Sequence, residues 1–207
     1  MKNKIIILNG TSSSGKTSIM TEFKELAKEC YYGIMMDGVH WMLPQKHLVY
    51  GKHSELDKQY PLLTEEGKKG FYFNKNGVCQ FGEHARNISN DMIDMIKLFA
   101  SNKRNIIIDY VLFGLEDIKI ISQKLKDFDV YMVRVHCEPE ELRRREKQRG
   151  DRHIGSAEAI QKLIDTKYND YVLNSTSKTP IELAQELYDF VNNNSPKALR
   201  ELLKNEK

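Results

Sequence analysis

"GTSSSGKT", residues Gly10–Thr17, follows the run "NKIIILN" at residues 3–9. The octet fits the spacing G-x-x-x-x-G-K-[ST] of a phosphate-binding loop, and its flanks agree with it. "KIIIL" is a continuous apolar run of the kind shown by a parallel strand buried on both faces, while "TSIMTEFKELAKEC" carries Ile19, Phe23 and Leu26 at helical spacing. The stretch therefore reads strand, turn, helix start. Glycine at both ends of the octet lets the chain bend tightly around an anion at the N-terminus of the following helix. The loop Gly10, Thr11, Ser12, Ser13, Ser14, Gly15, Lys16, Thr17 and Ser18 is expected to hold a nucleotide. In such a loop the backbone N–H groups cradle the α- and β-phosphates, Lys16 reaches the β/γ oxygens and the Thr17 hydroxyl meets Mg²⁺.

The 207 residues suit a single domain with room for an insertion. A net charge of +3 is too small to argue for a nucleic-acid partner. Cys30, Cys79 and Cys137 are odd in number and lack close spacing, so neither a disulfide framework nor a zinc site is indicated, and a cytoplasmic location is expected. The N-terminal apolar run is too short to cross a bilayer and leads directly into the loop, so no membrane partner is expected. Assembly with further copies of the chain stays open.

Apolar, β-rich runs recur at "KIIIL", "YGIMMD", "RNIIIDYVLF", "DVYMVRVHC" and "DYVLN", with helical patterns between most of them. That alternation predicts an α/β fold around a parallel five-stranded sheet. Helices are expected at 16–30, 83–100, 114–125, 139–149, 157–166 and 180–193, the last with Ile181, Ala184, Tyr188 and Val191 facing inward. A short closing helix over 195–206 would open with Ser195 as N-cap and Pro196 at its first position. Between about 38 and 82 the periodicity breaks. So long an irregular stretch inside a domain is usually functional, so it reads as an insertion over the active face. It gathers Trp41, Met42, Phe71, Tyr72, Phe73 and Phe81, which suit either a small satellite core or a substrate wall.

A phosphate loop alone does not name a reaction. A GTPase would need Asn-Lys-x-Asp after a strand, and "NKNG" at 74–77 lacks the Asp. A small kinase is favoured by two further features. The Arg-rich stretch "LRRREKQRGDRHIG", Leu142–Gly155, follows the fourth core strand, where small kinases carry a lid, here about residues 143–155. Charge on the transferred phosphoryl group spreads over its equatorial oxygens, so Arg145, Arg149 and Arg152, with planar forks suited to phosphate, are candidates to stabilise it. The "RGD" within that stretch is taken as coincidental. The second feature is a pair of acids at strand ends, Asp37 and Asp109, placed where ligands bind open α/β sheets. Asp109 reads as the acid that holds Mg²⁺ with Thr17, and Asp37 as the spare carboxylate that accepts a hydroxyl proton.

Together "IIILNGTSSSGKT", "MDGVHWMLP", "IIIDYV", "VHCEPEELRRREKQRGDRHIG" and "YNDYVLNSTSKTPIELA" resemble the chloramphenicol phosphotransferase family in order and spacing over most of the chain. The resemblance implies a three-layer α/β/α P-loop kinase fold and transfer of the γ-phosphate of ATP, with Mg²⁺, to a hydroxyl of a small molecule, as in antibiotic resistance. It implies Gly15, Lys16 and Thr17 at the nucleotide, Asp37 as catalytic base and Arg149 with Arg152 as the lid. Trp41, Met42 and Phe81 are expected at the acceptor. The stretch "HWMLPQKHLVYGKHSELDKQYP" is larger and more polar and aromatic than that family's antibiotic would need. A zeta-toxin-like or other metabolite kinase with a nucleotide-sugar or polyol acceptor, and a non-catalytic ATP-binding regulatory module, are the alternatives.

Overall fold

Residues Lys4–Asn9 form β1, whose apolar side chains divide between two cores: Ile5 and Ile7 enter one, Ile6 and Leu8 the other. A strand buried on both faces needs cover on both. The computed structural model describes residues 3–47, 65, 67–73, 79–112, 114–150, 154–161, 164 and 167–205. After β1 the chain runs through α1 (Lys16–Leu26), β2 (Tyr31–Met35), α2 (Met36–His40), β3 (Phe71–Phe73), β4 (Cys79–Phe81) and α3 (Glu83–Ser101). It continues through β5 (Asn105–Tyr110), α4 (Leu115–Lys124), β6 (Asp129–His136), α5 (Pro139–Arg149) and α6 (Ser156–Gln161). The described chain closes with β7 (Tyr171–Asn174), α7 (Pro180–Asn193) and α8 (Ala198–Asn205).

Five strands make a parallel sheet in the order β2-β5-β1-β6-β7. Helices α3, α4 and α8 cover one face through Met92, Ile93, Ile96, Ile118, Ile121, Leu199 and Leu202. Helices α1 and α7 cover the other through Ile19, Met20, Phe23, Leu183, Leu187 and Val191. The parallel five-stranded sheet expected from the alternating pattern is thus present, in the three-layer α/β/α arrangement that the family resemblance implies. Crossovers place β1 at the centre, and every strand delivers its C-terminal end to the same edge.

Local differences from the sequence reading have physical causes. Helix α1 ends at Leu26 rather than residue 30, because Ala27 turns to extended backbone. Ile181 is 59% exposed, because the inward stripe of α7 is Leu183, Ala184, Leu187 and Val191, rotated away from the expected face. Thr179 caps that helix in a reciprocal capping box with Glu182, just ahead of Pro180. Helix α8 begins at Ala198, after Pro196, since the carboxylate of Asp170 accepts from the N–H groups of Lys197 (2.6 Å) and Ala198 (2.9 Å) and does the work expected of Ser195. Helix α6 starts one residue early, at Ser156, and is described as far as Gln161.

The stretch 38–82 contains more order than its composition suggests. Besides most of α2 it holds 3₁₀ turns at Gln45–His47 and Gly67–Lys69 and the antiparallel pair β3–β4. Phe71 is buried and packs edge-to-face on Phe81 at 4.9 Å between ring centroids. The ring of His40 lies 4.0 Å from that of Phe71, with Nε2 3.3 Å from Ser89 Oγ. Burial lowers the pKa of His40 to about 4. The unfolded chain therefore binds a proton that the folded chain does not between pH 6.5 and about 4, so stability falls as pH drops through that window. The loss is on the order of 2–3 kcal/mol by pH 4.5. His40→Gln should flatten the pH dependence of urea unfolding between pH 6.5 and 4.5 relative to the parent. An unchanged slope would show that His40 is not the group being charged.

Among the described residues no helix is long and apolar enough to cross a membrane. No group of three or more His, Cys, Asp or Glu among them is arranged to hold a metal ion.

Candidate active site

The loop between β1 and α1 takes its shape from two requirements. Gly10 runs against β6 so closely that a Cβ there would lie 2.7 Å from Val135 O. Gly15 adopts φ +96°, a left-handed conformation that disfavours side chains, and immediately precedes α1. The first turn of α1 contains no acidic residue and Gly15 brings no side-chain cap, so its N–H groups present positive charge. Within the loop, Ser13 Oγ and Ser14 Oγ are buried without a hydrogen-bond partner among the described residues. Orphaned hydroxyls, an unopposed helix N-terminus and a lysine in one turn fit the phosphate chain of a nucleotide.

Lys16 is only 6% exposed; its Nζ donates to Thr11 O (2.8 Å) and lies 3.3 Å from Asp109 Oδ1. The other carboxylate oxygen of Asp109 accepts from Thr17 Oγ1. β5 brings Asp109 here because it pairs with Leu8 of β1 and Met35 of β2, one residue before the end of its strand. A lysine, a hydroxyl and a carboxylate thus meet at the start of α1. These groups are suited to a phosphate chain and its Mg²⁺.

Arg145, on α5, reaches across to the same loop. Its guanidinium donates to Ser13 O (3.3 Å), Ser175 Oγ (3.4 Å) and Ser175 O (2.5 Å), while Nε donates to Glu141 (2.8 Å). Hydrogen bonds from Arg144 and then Arg145 hold the Glu141 carboxyl near pKa 2. Ser175, just beyond β7, in turn donates to Ser14 O (2.7 Å). Ser175 was not legible as a site residue, since its role comes only from the neighbouring strand order.

Glu146 was likewise missed. It is fully buried under an Arg-rich surface and accepts from Gly155 N (2.6 Å), Ser156 Oγ (2.9 Å) and Ala157 N (2.7 Å). Ala157 O then accepts from Thr11 Oγ1 (2.7 Å). A buried carboxylate thereby ties the end of the Arg-rich stretch to the phosphate loop. Its legible signal was the i, i+4 spacing from buried Leu142, which puts both on the inner face of α5.

The other expected residues spread around the same edge of the sheet. Asp37 is exposed in the first turn of α2, two residues past β2, rather than at the strand end itself. Trp41 and Met42 follow it at 67% and 73% exposure. Phe81 is partly buried against Phe71 and the core of the α3 face. Arg149 is exposed in the last turn of α5, whereas Arg152 lies outside the described residues. Ser12 is partly buried in the loop, and Ser18 is exposed on the first turn of α1.

A family profile described as chloramphenicol phosphotransferase-like protein matches residues 3–192. The chain belongs to that family. A Mycobacterium tuberculosis relative titled "Putative O-phosphotransferase" is 32% identical over 193 residues, covering 91% of this chain and 82% of the relative. Among solved structures, the M. tuberculosis APS kinase in complex with AMPPNP and APS shares the fold with a TM-score of 0.63 at 15% identity, over 93% of this chain and 99% of the kinase. A tunicamycin resistance protein of Deinococcus radiodurans gives 0.61 at 12% identity, over 94% and 98%. Shikimate kinase of Acinetobacter baumannii gives 0.57 at 11% identity, over 93% and 94%. This member of the chloramphenicol phosphotransferase-like family is therefore a small-molecule kinase or phosphotransferase with the P-loop kinase fold.

Proposed function

We propose that the chain is an ATP-dependent O-phosphotransferase that moves the γ-phosphoryl group of ATP to a hydroxyl of a small molecule. The observation that carries this reading is the meeting of Lys16, Thr17 and Asp109 at the start of α1. ATP supplies the transferable phosphoryl group; the residues supply position and charge. Loop N–H groups, Ser13 and Ser14 would hold the phosphates, Lys16 would neutralise their bridging charge, and Thr17 with Asp109 would hold Mg²⁺. Arg145, fixed over the loop by Ser13 and Ser175, would orient the nucleotide. In this reading residues 1–207 form one domain, with about 38–82 covering the acceptor, 143–155 acting as lid and Arg149 and Arg152 reaching the transferred group. Trp41 and Met42 would offer an exposed apolar surface to the acceptor shortly after Asp37, and Phe81, packed on Phe71, would complete it.

The direct test is ADP release by purified protein with Mg·ATP across a panel of hydroxylated acceptors, with chloramphenicol first. Titration of Trp41 fluorescence, the chain's sole tryptophan, reports acceptor binding independently. Phosphate transfer to a hydroxyl is the expected result, and ATP binding without transfer to any alcohol would favour the regulatory module instead.

Asp37 is the proposed base. A carboxylate within about 3 Å of an alcohol orients it and receives its proton as the new P–O bond forms. Asp37→Asn should lower kcat by about 10²-fold with nucleotide affinity nearly unchanged, while Asp109→Asn should raise the Mg²⁺ concentration needed for half-maximal rate. If Asp37→Asn keeps nearly full kcat and Asp109→Asn loses it with no change in metal requirement, the two roles are reversed.

A further inference from the structure

One rung of the sheet carries donors that the phosphate loop does not use. Asn9 pairs in register with Tyr110 of β5 and with Arg134 of β6. In β1 and β6, Ile5, Ile7, Val130 and Met132 enter the core under α3, α4 and α8. Two residues further along each strand, Asn9 and Arg134 therefore share that face, opposite the one that carries Leu8 and its partner Asp109.

Asn9 is fully buried, and its Oδ1 accepts from Leu112 N at 3.1 Å, which fixes the amide orientation. Its Nδ2 is left buried without a partner among the described residues. Beside it Arg134 is half-buried, and no described residue accepts a hydrogen bond from its guanidinium or faces it as an anion. Desolvation accordingly holds its pKa below the usual arginine range. His136, two residues further along β6, is already engaged through Glu138 (3.0 Å) and Gln161 (3.2 Å). A desolvated guanidinium next to an orphaned amide is costly unless an acceptor joins them.

We propose that Arg134, with Asn9 Nδ2, binds a carboxylate or phosphate carried by the acceptor, so that the substrate is an anionic alcohol. This inference rests on the phosphotransferase reading of the same edge of the sheet. Ligands of open α/β sheets bind at the carboxyl ends of strands, and this rung lies immediately before the phosphate loop. Arg134 sits three strands from β2, which leads to Asp37. At about 4.8 Å per strand the two lie roughly 14 Å apart, and an arginine side chain spans nearly half of that. Hydroxyl and anion thus belong on opposite ends of a molecule of at least monosaccharide size.

The test compares matched pairs with and without the anion: gluconate against glucitol, glucose 6-phosphate against glucose, and uridine 5′-monophosphate against uridine, with neutral chloramphenicol as a further control. In at least one pair the anionic member should have the higher kcat/KM by about 10-fold or more, the scale of a charge-assisted hydrogen bond. Arg134→Met should bring that ratio close to one, and Arg134→Lys should recover part of it. Phenylglyoxal labelling of the unmutated protein, with Mg·AMPPNP saturating, reads the site without turnover: anionic members should slow modification of Arg134 and their neutral partners should not. A preference for neutral acceptors, or labelling of Arg134 that no anionic member slows, overturns the proposal. So does a loss of Mg·AMPPNP affinity in Arg134→Met that is equal for both members of each pair, which would assign Arg134 to the nucleotide phosphates. Failure of the phosphotransferase reading is distinguishable, because it appears as absent Mg·ATP binding or as no ADP release with any acceptor, whereas the labelling result stands by itself.

Discussion

Lys16→Ala is expected to abolish phosphoryl transfer while the protein stays folded. Its Nζ carries the buried positive charge at the start of α1, between Thr11 O and the Asp109 carboxylate. No other side chain of the loop can place a cation against the β- and γ-phosphates, and losing such a preorganised donor costs on the order of 10³-fold or more in kcat. The structural cost is smaller, because Asp109 keeps its hydrogen bond from Thr17 while the contacts of Lys16 with Thr11 O and Asp109 are lost, about 1–3 kcal/mol. Circular dichroism should therefore report native structure with a Tm lower by several degrees, and titration with Mg·ATP should report weakened binding. If the variant bound and used ATP as the parent does, the assignment of the loop would fail.

Arg149→Ala and Arg152→Ala are expected to lower kcat and kcat/KM together, each on the order of 10³-fold, without a matching change in nucleotide affinity. Both lie in the Arg-rich stretch, but the structure separates Arg149 from Arg145. Arg145 is pinned to Ser13 and Ser175, so its removal should act on nucleotide binding and raise KM for ATP. Arg149 stands exposed on the last turn of α5, in the stretch proposed to close over the bound phosphate. Steady-state kinetics of the three variants side by side would distinguish the roles. Unaltered kcat in Arg149→Ala and Arg152→Ala would reduce the run to a solvated helix face.

The alternating apolar runs revealed the fold because a parallel strand covered on both sides favours an unbroken apolar run, as "KIIIL" and "NIII" show. The phosphate loop was legible for the opposite reason: its backbone geometry restricts residue type, as at Gly10 and Gly15. What stayed hidden depends on contacts between distant segments. Ser175 gains its place only because β7 lies beside β6, and the helical spacing that puts Glu146 on the inner face of α5 does not reveal its partners until α5 is packed against α6. Nor could the pattern sort the aromatic residues of 38–82 into Phe71, which is buried, and Trp41, which is not. Both readings of that stretch were chemically sound, and only packing divides them.

The central position of β1 also bears on how the chain folds. Ile5 pairs with Ile106 on one side and Val130 on the other. β1 thus lacks its β5 neighbour until about a hundred further residues have been synthesised and its β6 neighbour for about 25 more, and each pairing must close a loop of about a hundred residues or more. Such non-local pairing slows folding and leaves an isoleucine-rich edge unprotected meanwhile. Nascent chains halted before β6 should remain unfolded and engage chaperones, and the phosphate loop, strung between β1 and α1, should be among the last parts of the protein to acquire its shape.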